Sequence, residues 1–469
     1  AIMMVAGGFR APKQTGYVRD LDLKSFGQLP VVAEGRIKPI DSYARNALLI
    51  IRGKQKCYDA DENKVSAVQW LMDTAMRPKV ADAYKVFRID HDEILGKMGK
   101  RQEKEKFFSF VEVEPVIDEV MEEAGKYSQL EAQLRSPYQR AVVRLASSLN
   151  LYQRIRFSLP VDSSAAGLTE EYDDFEKVMV PGREALAKFE AKEPYDETAL
   201  QRFLGYAQHY RNLAQAPTTL IVPPVEPGED TTGDWLTTGK SLENSLRSGS
   251  VDPVLRGYAK VIDAYKAAGD KPAAFNDAVL GLGVELKKRL TDKTKTRMAY
   301  ERFFNQWEPF YRSSLVYVIV FLVAAFSWLV WPERLGRLAF WLMAFALAIH
   351  VFGLISRMYL QGRPPVTNLY SSAVFIGLIS VMLCLLLEKI TKLGVASAVG
   401  AAIGFSTLVI AHHLSKSGDT LEMMRAVLDT NFWLATHVVT VTIGYAATFL
   451  AGFLAIVYIL RGFLTPGLN

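Results

Sequence analysis

Four of the six histidines, His350, His412, His413 and His437, lie in or at the edges of long apolar runs. A polar side chain is costly to bury in a membrane, so each of these positions raises a functional hypothesis. His350 is followed seven residues later by Arg357 on the same helical face. A neutral imidazole ligates iron, and an arginine one or two turns away pairs a propionate. The plainer account of His350 is a histidine hydrogen-bonded between helices, and spacing alone favours it. His437 follows Trp433 near one end of the last apolar run. An imidazole at that depth reaches a ligand held at the membrane surface, and Trp433 fits the interfacial aromatic belt. An interfacial anchor cluster accounts for the pair equally well. His412 and His413 close the fourth run on the same side, and adjacent residues diverge on a helix, so at most one of them shares a site with His437. The segment Gln361-Gly-Arg-Pro-Pro-Val-Thr-Asn-Leu-Tyr-Ser-Ser372 is short and polar; it is either a simple connection or places Arg363 and Asn368 on the rim of an outward-facing pocket.

These residues must be carried by membrane helices. A hydrocarbon core of about 30 Å needs about 20 apolar residues in a helix. Five stretches come close, approximately Tyr311–Trp331, Leu338–Ile355, Leu369–Leu387, Leu393–Ala411 and Phe432–Leu460. Arg334 and Arg337, Lys389 and Lys392, and Arg461 stand at three ends that read as cytoplasmic. The opposite loops carry basic residues too, but the second also holds Asp419, Glu422 and Asp429. This places the preceding soluble half, residues 1–310, outside the cytoplasm. The opening Ala1-Ile-Met-Met-Val-Ala6 reads as the tail of a signal anchor, a remnant over residues 1–8.

The soluble half reads as a mainly helical domain with one small β-hairpin. Leu29-Pro-Val-Val-Ala-Glu-Gly-Arg-Ile-Lys-Pro39 gives two short strands around a Glu34-Gly35 turn, and Asp41 caps a helix through about Arg52. Apolar spacing predicts amphipathic helices over Tyr127–Phe157, Asp173–Ala191 and Asp196–Ala214. Ala216–Gly233 reads as a loop, and Ser241–Arg312 as a helical region leading into the first span. The acidic run Glu170-Glu171-Tyr172-Asp173-Asp174 fits a solvated helix N-terminus better than a cation site. His91 fits a surface turn, and His209 a helix surface. No Gly-rich phosphate loop or nucleophile motif occurs. A net charge of +5 over 55 basic and 50 acidic residues argues against a nucleic-acid surface. Cys57 and Cys384 form no CxxC, so neither disulfide exchange nor a zinc ribbon is supported.

At the histidine-bearing runs the sequence resembles the CcsA/ResC-type cytochrome c assembly proteins of the System II haem-attachment pathway. His350-Val-Phe-Gly-Leu-Ile-Ser-Arg357, followed by Gly362-Arg-Pro-Pro-Val-Thr-Asn-Leu-Tyr-Ser-Ser372, resembles the family's His/Arg helix and its P-x-SN-x-YES loop. Trp433-Leu-Ala-Thr-His437 with Gly444-Tyr-Ala-Ala447 resembles its WLxxHV…SYA helix, whose histidine is an external haem ligand. Gly35-Arg-Ile-Lys-Pro-Ile-Asp41 resembles an N-terminal extracytoplasmic extension of some members. The resemblance spans most of Leu338–Leu460. It implies haem as the cofactor or transported substrate, handled at the outer face of the cytoplasmic membrane and attached to thiols of apocytochrome c. Haem iron is the one metal it implies. His437 is then the stronger axial ligand and His350 the weaker, with His412 and His413 behind them, while Arg357, Arg363, Asn368, Tyr370 and Trp433 serve propionates or the pocket. Partners would be apocytochrome c, lipid and other assembly subunits, and any enzymatic role would be as part of a holocytochrome c synthase.

Two departures qualify that expectation. Ser371 stands where the family has glutamate, and no tryptophan-rich WWD segment or second external histidine follows His437 before Asn469. The rest of the haem platform would then come from a missing stretch or another subunit, unless this relative does something else. Two rival classes remain open: a membrane electron-transfer subunit with haem b between facing histidines, and a haem-free scaffold derived from the assembly family.

Overall fold

A computed structural model describes residues 21–59, 61–100, 106–159, 167–227, 232–267, 272–415, 420–421 and 431–464. The expected signal-anchor remnant at 1–8, and Asp419, Glu422 and Asp429, lie outside the described residues. Within them the chain is mainly helical, with a few small sheets and five helices long and apolar enough to cross a membrane. One compact unit runs from residue 21 to 302 and another from 303 to 464.

The first unit opens with the hairpin, β1 (Pro30–Ala33) and β2 (Arg36–Pro39), in register from Pro30↔Pro39 to Ala33↔Arg36. Glu34 and Gly35 connect them at φ 52° and 75°. A two-residue turn with positive φ at both positions matches the twist of the strands it joins. Helix α1 (Ile40–Arg52) follows with Pro39 at its N-cap; Asp41 lies inside the first turn and pairs with Arg45 at 2.9 Å, so it is not the cap. Gly53, at φ 74°, ends the helix by returning its N–H to the Leu49 carbonyl. After the β3 (Lys56–Tyr58) and β4 (Lys64–Ser66) pair, the Ser66 hydroxyl caps α2 (Ala67–Met76), all of whose residues are buried.

Further helices are α3 (Ile117–Ser128), α4 (Pro137–Arg156), α5 (Leu168–Glu190) and α6 (Glu197–Gln215). The single helix read over Tyr127–Phe157 is thus broken: Ser136 and Gln139 close a capping box, and Pro137 suits the first helical position, where no N–H is required. Asp196 caps α6 as a side-chain acceptor. The stretch read as a loop over Ala216–Gly233 contains β5 (Leu220–Val222), which pairs with β1 and with β6 (Leu236–Thr237). The hairpin is therefore half of a four-stranded sheet in the order β2-β1-β5-β6. Four helices complete the region before the first apolar run: α7 (Thr238–Ser248), α8 (Pro253–Lys266), α9 (Pro272–Lys288) and α10 (Asp292–Trp307).

Ion pairs and buried polar groups also tie distant parts of this unit together. Arg36 grips Glu301 on α10 through two hydrogen bonds of 2.6 and 3.0 Å, a fork geometry that fixes orientation as well as charge. The fully buried Lys38 pairs with Glu34. At the acidic start of α5, Asp263 accepts from the Leu168 and Thr169 N–H groups at 2.9 Å each. Asp173 and Asp174 pair with Arg256 and Arg202, and Glu171 is buried, so this helix start is built into the fold and is not simply solvated. His91 caps a short helix with Nδ1 and meets Tyr138 edge-on, and His209 is exposed on α6.

The second unit contains α11 (Pro309–Ser327), α12 (Pro332–Gln361), α13 (Leu369–Thr391), α14 (Val395–Leu414) and α15 (Asn431–Leu464). Lipid offers helices no hydrophobic reason to associate, so close backbone approach through small residues takes over. A Cβ built on Gly377 would meet the Thr407 hydroxyl at 2.1 Å, and one on Gly400 would meet Cys384 Cβ at 2.6 Å. Gly404 is enclosed less tightly, with a Cβ there 2.8 Å from Val381 and 2.9 Å from Tyr317. Helix α15 buries Thr442, Ala446 and Leu450, at four-residue spacing, and exposes most of the rest.

Candidate functional site

Helix α12 carries both His350 and Arg357, two turns apart, and both are buried, at 0% and 2% exposure. The His350 ring is fixed from several sides. Its Nδ1 lies 3.1 Å from the Tyr317 hydroxyl of α11. Phe310 meets it edge-on, with centroids 5.7 Å apart. Gly353, one turn below on α12, leaves the space that Phe310 fills, since a Cβ there would lie 2.8 Å from the Phe310 ring. On α13 the Gly377 Cβ position is 3.6 Å from His350 Cε1. Nε2 closes no hydrogen bond of full geometry among the described residues, and the Val374 carbonyl of α13 is a polar neighbour of the ring.

Arg357 points to a second cluster. Its Nη1 donates to the Thr420 hydroxyl at 2.9 Å and its Nη2 to the Thr420 carbonyl, while the guanidinium lies 4.4 Å over the Tyr370 ring. Asn368 Nδ2 donates to the same carbonyl at 3.0 Å. Asn368 also starts α13: its Oδ1 accepts from the Ser371 N–H, and the Ser371 hydroxyl accepts from the Asn368 and Thr367 N–H groups, all at 2.9 Å. Serine at this position therefore performs the capping-box work that glutamate does at N3 elsewhere. Phe310 joins the clusters, since its ring also meets Tyr370 edge-on at 6.4 Å.

The structure thus brings His350, Arg357, Asn368 and Tyr370 into one connected group. Arg363 is half-buried on the turn after α12. His437 and Trp433 are exposed on α15, and His437 makes no hydrogen bond or ring contact with that group among the described residues. His412 and His413 are exposed at the end of α14, with rings nearly perpendicular, and His413 Nδ1 turns back to the Val409 carbonyl at 2.9 Å.

Sequence reasoning missed Tyr317, Phe310 and Thr420. Tyr317 stands 33 residues from His350 and Thr420 stands 63 from Arg357, so no local period links them. The one signal available was a hydroxyl-bearing ring in the middle of an apolar run, a group that needs a partner when buried.

No family model matches the chain. The protein NrfI of Wolinella succinogenes is 26% identical over 187 residues, which cover 38% of this chain and 20% of NrfI. The chain therefore spans about a fifth of the length of the curated relative it matches.

Proposed function

We propose that this chain belongs to cytochrome c biogenesis and presents haem at the outer face of the cytoplasmic membrane for attachment to apocytochrome c. The similarity to NrfI supports a relation to cytochrome c biogenesis. The observation that carries the finer reading is the exposed pair on α15, where His437 stands one turn from Trp433 with its imidazole unused by packing. That residue fits an iron ligand reached from outside the helix.

The other candidates fit in different degrees. Thr420 offers Arg357 two oxygens, much as a carboxylate would, so a propionate would take over bonds already shaped for it. His350 offers an unused nitrogen, but its ring is walled by Phe310, Tyr317 and the Gly377–Thr407 contact, so α13 and α14 would have to part to admit a macrocycle. Haem, when bound, supplies the vinyl groups to which thiols add. This chain's residues hold the iron and orient the ring, and apocytochrome c brings the thiols, because Cys57 and Cys384 are both buried. The basic residues Arg334, Arg337, Lys389 and Lys392 at the opposite ends support a placement of the unit preceding the spans outside the cytoplasm, where it would position the apocytochrome.

The test is an absorption spectrum of protein purified in mild detergent, for wild type, His437→Ala and His350→Ala. Wild type is expected to carry a Soret band that falls at least tenfold in occupancy with His437→Ala. A Soret band untouched by that substitution refutes the ligand assignment, and a haem-free wild type favours the scaffold.

A further inference from the structure

Two turns meet at the end of the bundle where α11 and α13 finish and α12 and α14 begin. The indole N–H of Trp328, just after α11, donates to the carbonyl of Leu393, just after α13, at 3.3 Å. Gly394 leaves room for this contact, since a Cβ on it would lie 3.2 Å from Ser327 Oγ and 3.3 Å from Trp328 Nε1. Behind the turns Ala324, Ala339 and Ala398 pack on one another, which holds α11, α12 and α14 close together up to this end.

The joined turns carry two kinds of side chain. Arg334 and Arg337 on α12, Lys389 on the last turn of α13 and Lys392 just beyond it are all exposed, and none is paired with a carboxylate among the described residues. Of the acids beside them, Glu333 is exposed, while Glu388 is buried and accepts from the Gly394 and Ser397 N–H groups at 2.7 and 3.0 Å. The Glu388 charge is thus spent on the start of α14, and the surface is left cationic. Next to the cations Trp331, Ile390 and Leu393 are 68%, 79% and 65% exposed. Trp331 and Lys392 stand at φ 50° and 53°, a region that favours glycine, so each turn keeps its side chain at a conformational cost.

We propose that the two turns form one docking site for an anionic phospholipid, with the headgroup phosphate answered by cations from both turns and the acyl chains by the exposed apolar side chains. The mixture selects the partner. A soluble phosphate has no use for Trp331, Ile390 and Leu393, and a neutral lipid leaves four cations unanswered. Basic residues that serve only to orient the chain in the membrane need no bond between the turns that carry them. The inference is independent of the haem reading.

Native mass spectrometry of the full chain in mild detergent, titrated with phosphatidylglycerol and with phosphatidylcholine of the same acyl chains, tests it. Wild type is expected to hold phosphatidylglycerol about thirtyfold more tightly. Arg337→Gln with Lys392→Gln removes one cation from each helix pair and should cut that preference about tenfold, while Arg337→Lys with Lys392→Arg should keep it. Trp328→Phe retains an aromatic ring and every cation, loses only the bond between the turns, and should cut the preference about threefold. Equal binding of the two lipids by wild type overturns the proposal, as does a preference that survives the glutamine pair or is lost in the charge-keeping pair. A preference indifferent to Trp328→Phe overturns the single joined site. Displacement of phosphatidylglycerol by excess inorganic phosphate would make this a site for the free anion and overturn the lipid assignment.

Discussion

Asp73 and His350 are both titratable and both buried, one in the unit preceding the spans and one in the helical bundle, and they are used in opposite ways. Tyr265 and Tyr84 donate to separate oxygens of Asp73, at 2.8 and 2.9 Å, and Arg77 stands at 4.0 Å. That carboxylate ties α2 to α8 and to the segment after α2, with each oxygen taken. His350 bonds Tyr317 through Nδ1, and beyond that its ring has only the Val374 carbonyl as a polar neighbour. The contrast separates a polar group paired at every oxygen from one held firmly on a single side. It also follows the packing style, since the first unit buries large rings such as Trp70, Tyr152 and Phe175, while the bundle closes on glycines.

The strongest way to break this contrast is Asp73→Ala, which strands two buried tyrosine hydroxyls and should cost about 3 kcal/mol in thermal unfolding followed by fluorescence. A loss under about 1 kcal/mol would remove Asp73 as cement. Gly404→Leu should cost about 2 kcal/mol by overpacking Tyr317 and Val381, read as a lower melting temperature in detergent. A smaller effect belongs to pH. Burial pushes the Asp73 carboxyl above its usual range, against the two tyrosine hydroxyls that hold it down. An acid with a raised folded-state pKa binds a proton more tightly when folded, so its contribution to stability is present at low pH. That contribution is lost as pH rises from about 4, the unfolded value, through the folded one. Asp73→Asn should flatten this slope, and an identical slope in the variant would assign it to another group. Cys57, whose thiol burial pushes up to about 12, should resist maleimide at neutral pH until the protein is unfolded, as mass spectrometry would show. At the bottom of the scale, His437→Ala should change stability by less than about 0.5 kcal/mol, because the side chain is exposed. A larger loss in the same melting assay would make His437 structural.

The elements legible in the sequence were those decided locally. Five spans follow from length and hydropathy, and the hairpin follows from two short apolar runs on either side of Glu34-Gly35, whose glycine takes positive φ freely. Helix α6 was legible from Asp196, a capping acceptor just before the first periodic residue. What was hidden depends on distant partners. Strand β5 has only three residues and is a strand because β1 and β6 flank it. Asp41 looked like a cap, but Pro39 takes that position and Asp41 serves Arg45. In the candidate site the sequence supplied His350 and Arg357 as a pair on one helical face, and Asn368 and Tyr370 apart from them on the segment that follows. Their connection through Phe310 needed three dimensions, because ring contacts between helices leave no periodic trace.

The clasp between Arg36 and Glu301 closes over 265 residues of chain. At about 5–20 residues per second of synthesis, the hairpin waits on the order of 10–50 s for that carboxylate to exist. Strand β1 meanwhile lacks β5, so its edge stays open for much of the wait. Glu301 is followed almost at once by Pro309, where the first span begins. Completion of the first unit and entry of the chain into the bilayer therefore fall at nearly the same moment of translation, and a delay in either exposes a growing chain whose last lock has not yet been made.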